Sequence, residues 1–280
     1  MKKVINYSIF IISLIELSSC EKKEKDWDND QSAAVNFKIE SAFDEMTNIS
    51  DQAVNGALVY YKSGKIIISD VLNPQAIEKT PCNVIITHDT TSTQKVLTVD
   101  YGTTNCDCND GKTRRGKIIT TYTGAYLDSG TVITHTTENY YVNNIKIEGT
   151  KTVTNMGLNN NGLPYFNIQI NGQVTLTSGT VVNYTSTRVR TWNSGYSTPL
   201  NRMDDVYDIS GNTAAVYSTG GGYTANTTTS IRIRVGCGYP TQGVLELTPV
   251  NKPVRTINYG DDTCDSQYTV TVNGNTYTFN

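Results

Sequence analysis

Two stretches of this 280-residue chain spell almost the same thing: Val99–Cys106 reads VDYGTTNC and Ile257–Cys264 reads INYGDDTC. Each closes a longer unit. CNVIITHDTTSTQKVLTVDYGTTNCD runs from Cys82 to Asp107, and CGYPTQGVLELTPVNKPVRTINYGDDTCD from Cys237 to Asp265. Both hold a cysteine, an apolar strand-like run, a polar connection, a second run ending in Tyr-Gly, and a final Cys-Asp. The economical reading is a hairpin with a cysteine near each open end, the glycine letting the chain turn out of the second strand. In an oxidising compartment these cysteines pair, Cys82 with Cys106 and Cys237 with Cys264. Each closure stabilises by about 3 kcal/mol in the chain-entropy model. Cys108 has no counterpart in the second unit, where Ser266 follows Asp265. A Cys82–Cys108 pairing stays open, because connectivity does not follow from sequence. The two units (82–122 and 237–280) bracket a long middle segment (about 116–235) and read as a framework.

That middle segment reads as an antiparallel meander. A glycine, a polar residue and two β-branched residues recur as GKII at Gly64 and Gly116, GTVI at Gly130 and GTVV at Gly179. Glycine supplies the positive φ of a tight turn and the β-branched pair starts a strand. Around Asn143-Asn144 a two-residue loop pairs Val142 with Ile145 and Tyr140 with Ile147. Around Asn273-Gly274 it pairs Val270 with Tyr277 and Tyr268 with Phe279, and Asn-Gly is the strongest short hairpin signal. Around Asn171-Gly172 a three-residue loop, Asn171–Gln173, pairs Ile170 with Val174 and predicts a glycine bulge.

One helix precedes the strands, expected over 32–54. Val35, Ile39, Ala42, Phe43, Met46, Ile49 and Ala53 fall at spacings of 3 and 4 and draw one apolar stripe. Ser32 caps its start and Gly56 follows its end. Such a stripe needs a sheet face to cover. Tyr, Thr, Val and Ile dominate the rest, which suits pleated sheet. Charged residues are only 18% and the net charge is −3, so nucleic acid is not an expected partner.

The first nineteen residues read as a signal peptide rather than part of the fold. Lys2 and Lys3 precede an apolar run too short and too broken, by Asn6 and Glu16, to span a bilayer. The run ends in Leu17-Ser18-Ser19-Cys20, which resembles the bacterial lipobox. That resemblance implies a diacylglyceryl thioether and an N-acyl chain on Cys20, and more than one chain anchors a protein firmly. The membrane is then a partner through lipid alone. EKKEKDWDND follows, too charged to fold, and makes residues 20–31 a solvated tether.

Taken together, the lipobox, the acidic helix ESAFDEM, the paired YG…C units, GKTRRGKI and the terminal VTVNGNTYTFN resemble a group of Bacteroidota-type surface and outer-membrane lipoproteins. The resemblance spans nearly the whole chain. It implies an outer-membrane, surface-exposed address but carries no activity, so no functional residue is transferred. Cys108 departs from the pattern.

The search for chemistry yields little. His88 and His135 are the only histidines and have neither His-x-His nor helical i,i+4 ligand spacing, so no zinc site is expected. A serine or cysteine hydrolase would need one of them as base. Glu138 and Glu148 flank one hairpin, but its register sets Glu138 on the face of Tyr140 and Glu148 on the other, so they cannot make a glycosidase pair. DCNDG (107–111) is one residue short of a calcium loop. DDVYD (204–208) and DDTCD (261–265) read as solvated acidic turns. GKTRRGK (111–117) reads as a glycine-bounded charged turn, with Arg114 and Arg115 as candidate contacts for acidic groups. RTWNSGY (190–196) reads first as Trp192 plugging the sheet core, with Trp192 and Tyr196 as candidate sugar platforms in the less favoured reading.

The sequence thus predicts a mainly β domain over 32–280, an antiparallel meander forming a sandwich or partly open barrel with one N-terminal helix. No catalytic residue, metal or cofactor is expected. The leading function is binding or scaffolding at the cell envelope, with a glycan or another envelope protein as partner. A carbohydrate-active or other hydrolase comes second and a periplasmic carrier of an apolar ligand third.

Overall fold

The computed structural model describes residues 32–60, 84–108, 111–198, 201–235, 237, 240–265 and 267–279, without the side chains of 51, 52, 54–60 and 202. The expected signal peptide, Cys20, the tether, Gly64 and Cys82 lie outside the described residues.

Helix α1 (Ser32–Tyr60) comes first. The strands are β1 (Ile85–Asp89), β2 (Lys95–Asp100), β3 (Cys106–Asp107), β4 (Thr113–Tyr122), β5 (Val132–Val142), β6 (Ile145–Leu158), β7 (Pro164–Thr175), β8 (Val181–Ser194), β9 (Val206–Tyr217), β10 (Gly222–Arg234), β11 (Pro240–Pro249), β12 (Arg255–Asp261), β13 (Tyr268–Val272) and β14 (Asn275–Phe279). They form one antiparallel sheet in sequence order, with the short β3 set aside on β4. The sheet is open, β1 and β14 being its two ends. The architecture is therefore the expected mainly β meander with an N-terminal helix, not closed into a barrel.

The predicted stripe is the helix's buried face. Ile39, Phe43 and Met46 are fully buried, and Val35, Ala42, Ile49 and Ala53 nearly so. The helix runs on to Tyr60, six residues past the expected end, with Gly56 inside it.

Its direction follows from its contacts. Ser32 meets Tyr217 of β9, Glu40 meets Arg188 of β8 and Phe43 lies over Gly172 of β7. Asp44 meets Lys151 of β6, Thr47 meets His135 of β5 and Ser50 meets Thr120 of β4. Ser32 to Ser50 is about 27 Å of helix at ~1.5 Å per residue. Five strand spacings of ~4.8 Å come to about 24 Å. The near-equality means that α1 crosses the strands close to perpendicularly, passing on average about one strand per turn.

The two hairpin units lie at opposite ends of the sheet, β1–β4 and β11–β14. Their shared octet has one local cause. The Gly102 N–H donates to Asp100 Oδ1 at 2.8 Å, and the Gly260 N–H to Asn258 Oδ1 at 2.9 Å. Both glycines hold positive φ, +79° and +92°. An Asx residue two positions before a left-handed glycine makes the same local bend in both copies, just past the end of β2 and inside β12 near its end. Cys237 and Cys264 are disulfide-bonded with Cα atoms 5.7 Å apart. Cys106 is disulfide-bonded as well, and its expected partner Cys82 is outside the described residues.

The registers at Asn143-Asn144 and Asn273-Gly274 are as expected, with left-handed Asn143, Asn144 and Asn273 forming the tight turns. Three local expectations are corrected. Asn171–Gln173 is no loop but the middle of β7, and the turns on either side of it fall at 159–163 and 176–180. Gly172 is there because the Phe43 ring occupies the space a Cβ would need, and a strand glycine often marks such a close approach. Gly116 is no turn either. It is a bulge inside β4 that lets the backbone of Glu138 and Asn139 come close, so TRRGK is strand. The same irregularity, with Asn139 left-handed, turns Glu138 outward to Lys117 and off the face of the fully buried Tyr140.

Candidate functional site

Three sets of buried or part-buried ion pairs form where α1 crosses the sheet. Alternation along β4, β6 and β8 points Arg114, Lys151 and Arg188 inward, and helical spacing presents Glu45, Asp44 and Glu40 to them. Arg114 is buried and donates Nε to Glu45 Oε1 at 2.6 Å, while Lys112 reaches Glu45 Oε2 at 2.6 Å. The buried Lys151 ammonium lies 2.7 Å from the half-exposed Asp44 and also donates to the Phe43 carbonyl at 3.2 Å. Burial pushes the Lys151 pKa down, and Asp44 offsets this only in part. Arg188 pairs with Glu40, which also accepts from the Tyr184 hydroxyl at 3.3 Å. Burial works against the Arg188 charge, and Glu40 with Tyr184 and Asp44 outweighs it.

Among the described residues, the nearest thing to a nucleophile–base pair sits in the same interface. Ser50 Oγ is 3.4 Å from His135 Nδ1, Thr120 Oγ1 is 2.8 Å from the same nitrogen, and Thr47 Oγ1 is 3.3 Å from Nε2. The geometry does not make a hydrolase. Ser50 donates to the Met46 carbonyl, His135 is 1% exposed, and its pKa is lowered to about 3 by burial and by Lys151 and Arg190. A neutral ring walled in by three hydroxyls fastens helix to sheet and meets no substrate. His88, on β1, is hydrogen-bonded to the Tyr122 hydroxyl.

Two of the candidate ligand contacts are inside, Trp192 in the sheet core as its favoured reading has it and Arg114 against that expectation. Trp192 is buried, donates Nε1–H to Asp205 Oδ1 at 3.1 Å and packs against Tyr126, Tyr196 and Tyr207. Its rings are covered by aromatic neighbours, so it cannot be a sugar platform. Arg114 is committed to Glu45. Tyr196 stands 40% exposed at the rim of the aromatic cluster. Arg115 points outward, lies 3.6 Å from the centre of the Tyr141 ring, and hydrogen-bonds Asn105 and Asn144. The four candidates do not converge on one place.

The acidic clusters are answered by specific partners. Asp205 accepts from Trp192 and Tyr207. Asp208 and Asp262 share Arg232, and Asp262 also holds Arg234 and the Thr241 hydroxyl. Hydrogen bonds from Arg234, Thr241 and Arg232 hold the Asp262 carboxyl far below its ordinary value. No cluster with metal-ligand geometry occurs among the described residues.

The outer face of the sheet is different in kind. Register aligns its side chains into lines across the strands. One line runs Thr121, Thr134, Thr152, Gln169, Thr187, Asn212, Asn226, Glu246, Thr256, Thr271, Thr276 from β4 to β14, with Glu246 its one ionisable member. A parallel line two residues along each strand includes Thr185, Ala214, Thr224 and Thr248. Between these lines, over β8–β11, lies an open trough of about 330 Å³. Its walls are Thr185, Ala214, Thr224 and Thr248 on one side and Thr187, Asn212, Asn226 and Glu246 on the other. Its floor is the backbone at Ser186, Thr213 and Ala225, whose side chains point into the core. All the wall residues are exposed except the half-buried Ala214.

Sequence reading missed this trough. Three strands contribute an unremarked polar-x-polar triplet and β9 contributes Asn212-Thr213-Ala214, and these become walls only when the meander's registers are known. An outward face of threonine and asparagine over an apolar interior is the reverse of a lipid-facing barrel wall. No described helix is long and apolar enough to cross a membrane. Comparison with protein-family models, curated proteins and solved structures finds no match to this chain.

Proposed function

We propose that this chain is a lipid-anchored cell-envelope protein, surface-exposed on the outer membrane, that acts by non-enzymatic binding or scaffolding with a neutral glycan as its ligand. The observation that carries the reading is the division of charge. Arg114, Lys151 and Arg188 on the inner face are paired with acids of α1, while the trough on the outer face offers hydroxyls, amides and one carboxylate. Neutral donors and acceptors suit a hydroxyl-rich ligand, and no cation stands in the trough walls to hold phosphate or sulfate. Hydrolysis is less well supported, because the Ser50–His135 contact is sealed, Glu40 and Glu45 face cations, and the buried Asp205 is held by Trp192 and Tyr207. A carrier of apolar ligands is less well supported because Ile39, Phe43 and Met46 already fill the inner face.

The test is retention of the full chain on immobilised polysaccharides, neutral and acidic. Retention on neutral polymers is expected. Retention on none, or on acidic ones alone, would overturn the glycan reading. For the anchor, Cys20→Ser should move the protein from the membrane to the soluble fraction, and unchanged fractionation would count against lipidation.

A further inference from the structure

We infer that the trough across β8–β11 holds a single neutral polysaccharide chain lying across the strands, one sugar ring per strand. This rests on the binding role proposed above and adds the site, the direction and the length of the ligand.

The geometry argues for it in three steps. First, the trough runs perpendicular to the strands, because its walls are register lines: Thr187 pairs with Asn212, Asn212 with Asn226, and Asn226 with Glu246. A ligand lying along it meets equivalent wall positions once per strand, every ~4.8 Å, between walls ~7 Å apart. An extended glycan advances by about one such spacing per ring. An extended peptide advances by only ~3.4 Å per residue and would drift out of step within two strands. Second, the walls are uncharged apart from Glu246, so an acidic polysaccharide gains nothing and is repelled at one end. Third, the wall is lowest at Ala214, which faces Asn212 across the floor and leaves the middle of the trough open to a ring.

Hydrogen bonds of neutral groups contribute modestly one at a time, so affinity here comes from repetition along the chain. Four strands line the trough, and binding should strengthen ring by ring up to about four rings and then level off.

The experiment uses the full chain with cello- and chito-oligosaccharides of two to six rings, titrated by calorimetry. It includes the surface variants Ala214→Trp, which fills the trough, and Asn226→Ala, with circular dichroism to verify the fold. Affinity should rise at least tenfold from two to four rings and less than twofold from four to six. Ala214→Trp should weaken four-ring binding more than fiftyfold and Asn226→Ala about tenfold. Two-ring ligands binding as tightly as six-ring ones would overturn the proposal. So would a neutral extended peptide that displaces the hexamer. Polysaccharide retention unchanged by Ala214→Trp would overturn the trough while leaving the binding role standing. Retention of no polysaccharide by the unaltered chain would overturn both.

Discussion

Along β8, Tyr184, Ser186 and Arg188 face the helix, while Thr185 and Thr187 on the same strand stand exposed in the trough walls. The inward three are tied into a network with Glu40 and Thr213. The outward two lie in lines of side chains, neutral but for Glu246, that bear little on packing. One strand thus serves a structural inner face and an outer face available for binding. Residues that look chemical in the sequence (His135, Ser50, Lys151, Arg114) are structural, and residues that look bland (Thr185, Asn212, Asn226) make the candidate site.

Substitutions on the two faces should separate sharply. The largest effect belongs to Phe43, fully buried and stacked on Tyr184 with ring centres 6.0 Å apart. Phe43→Ala should lower unfolding free energy by about 4 kcal/mol in urea titrations. Gly172→Ala should also destabilise, and less so when combined with Phe43→Leu, which removes the ring atom nearest a Cβ and leaves the Glu148 carbonyl, 2.9 Å away, in its way. An additive result would break the claim that helix and strand meet at that glycine.

Next comes the interface charge. Arg188→Met leaves Glu40 in a part-buried site without its guanidinium and should cost about 3 kcal/mol. Adding Glu40→Gln should restore much of that loss. If the single variant is neutral, the ion pair is not what holds this part of the helix.

His135 adds a pH dependence. Its pKa is about 3 in the fold against the ordinary 6.5. As pH falls below 6.5 the unfolded chain binds this proton and the folded chain does not, so stability is lost across the window from 6.5 to about 3. Between pH 7 and pH 4.5 the native chain should lose about 2.5 kcal/mol more than His135→Gln, at ~1.4 kcal/mol per pH unit below 6.5. Equal losses would mean that the ring is not held neutral. On the other face, Thr187→Ala and Asn212→Ala should change stability by no more than about 0.5 kcal/mol, although they line the trough.

The same contrast explains what could be read from the letters. The helix stripe was legible because all seven of its apolar residues serve one purpose, burial on the sheet. The Asn143-Asn144 and Asn273-Gly274 hairpins were legible because local turn chemistry decides them. Asn171-Gly172 misled because its glycine answers to Phe43, a residue far away in sequence. Arg114 misled because a charge looks like surface until Glu45 is placed beside it. The trough was invisible because its walls come from four strands whose alignment no single segment encodes.

The most direct test of this division is covalent surface footprinting of the full chain with and without bound neutral polysaccharide. Protection confined to the outward residues Thr185, Thr187, Asn212, Thr224, Asn226 and Thr248, with α1 unchanged, is the result predicted. Altered labelling of Phe43 or Met46 would contradict it, because it would mean that the ligand works by moving the helix and entering the inner face.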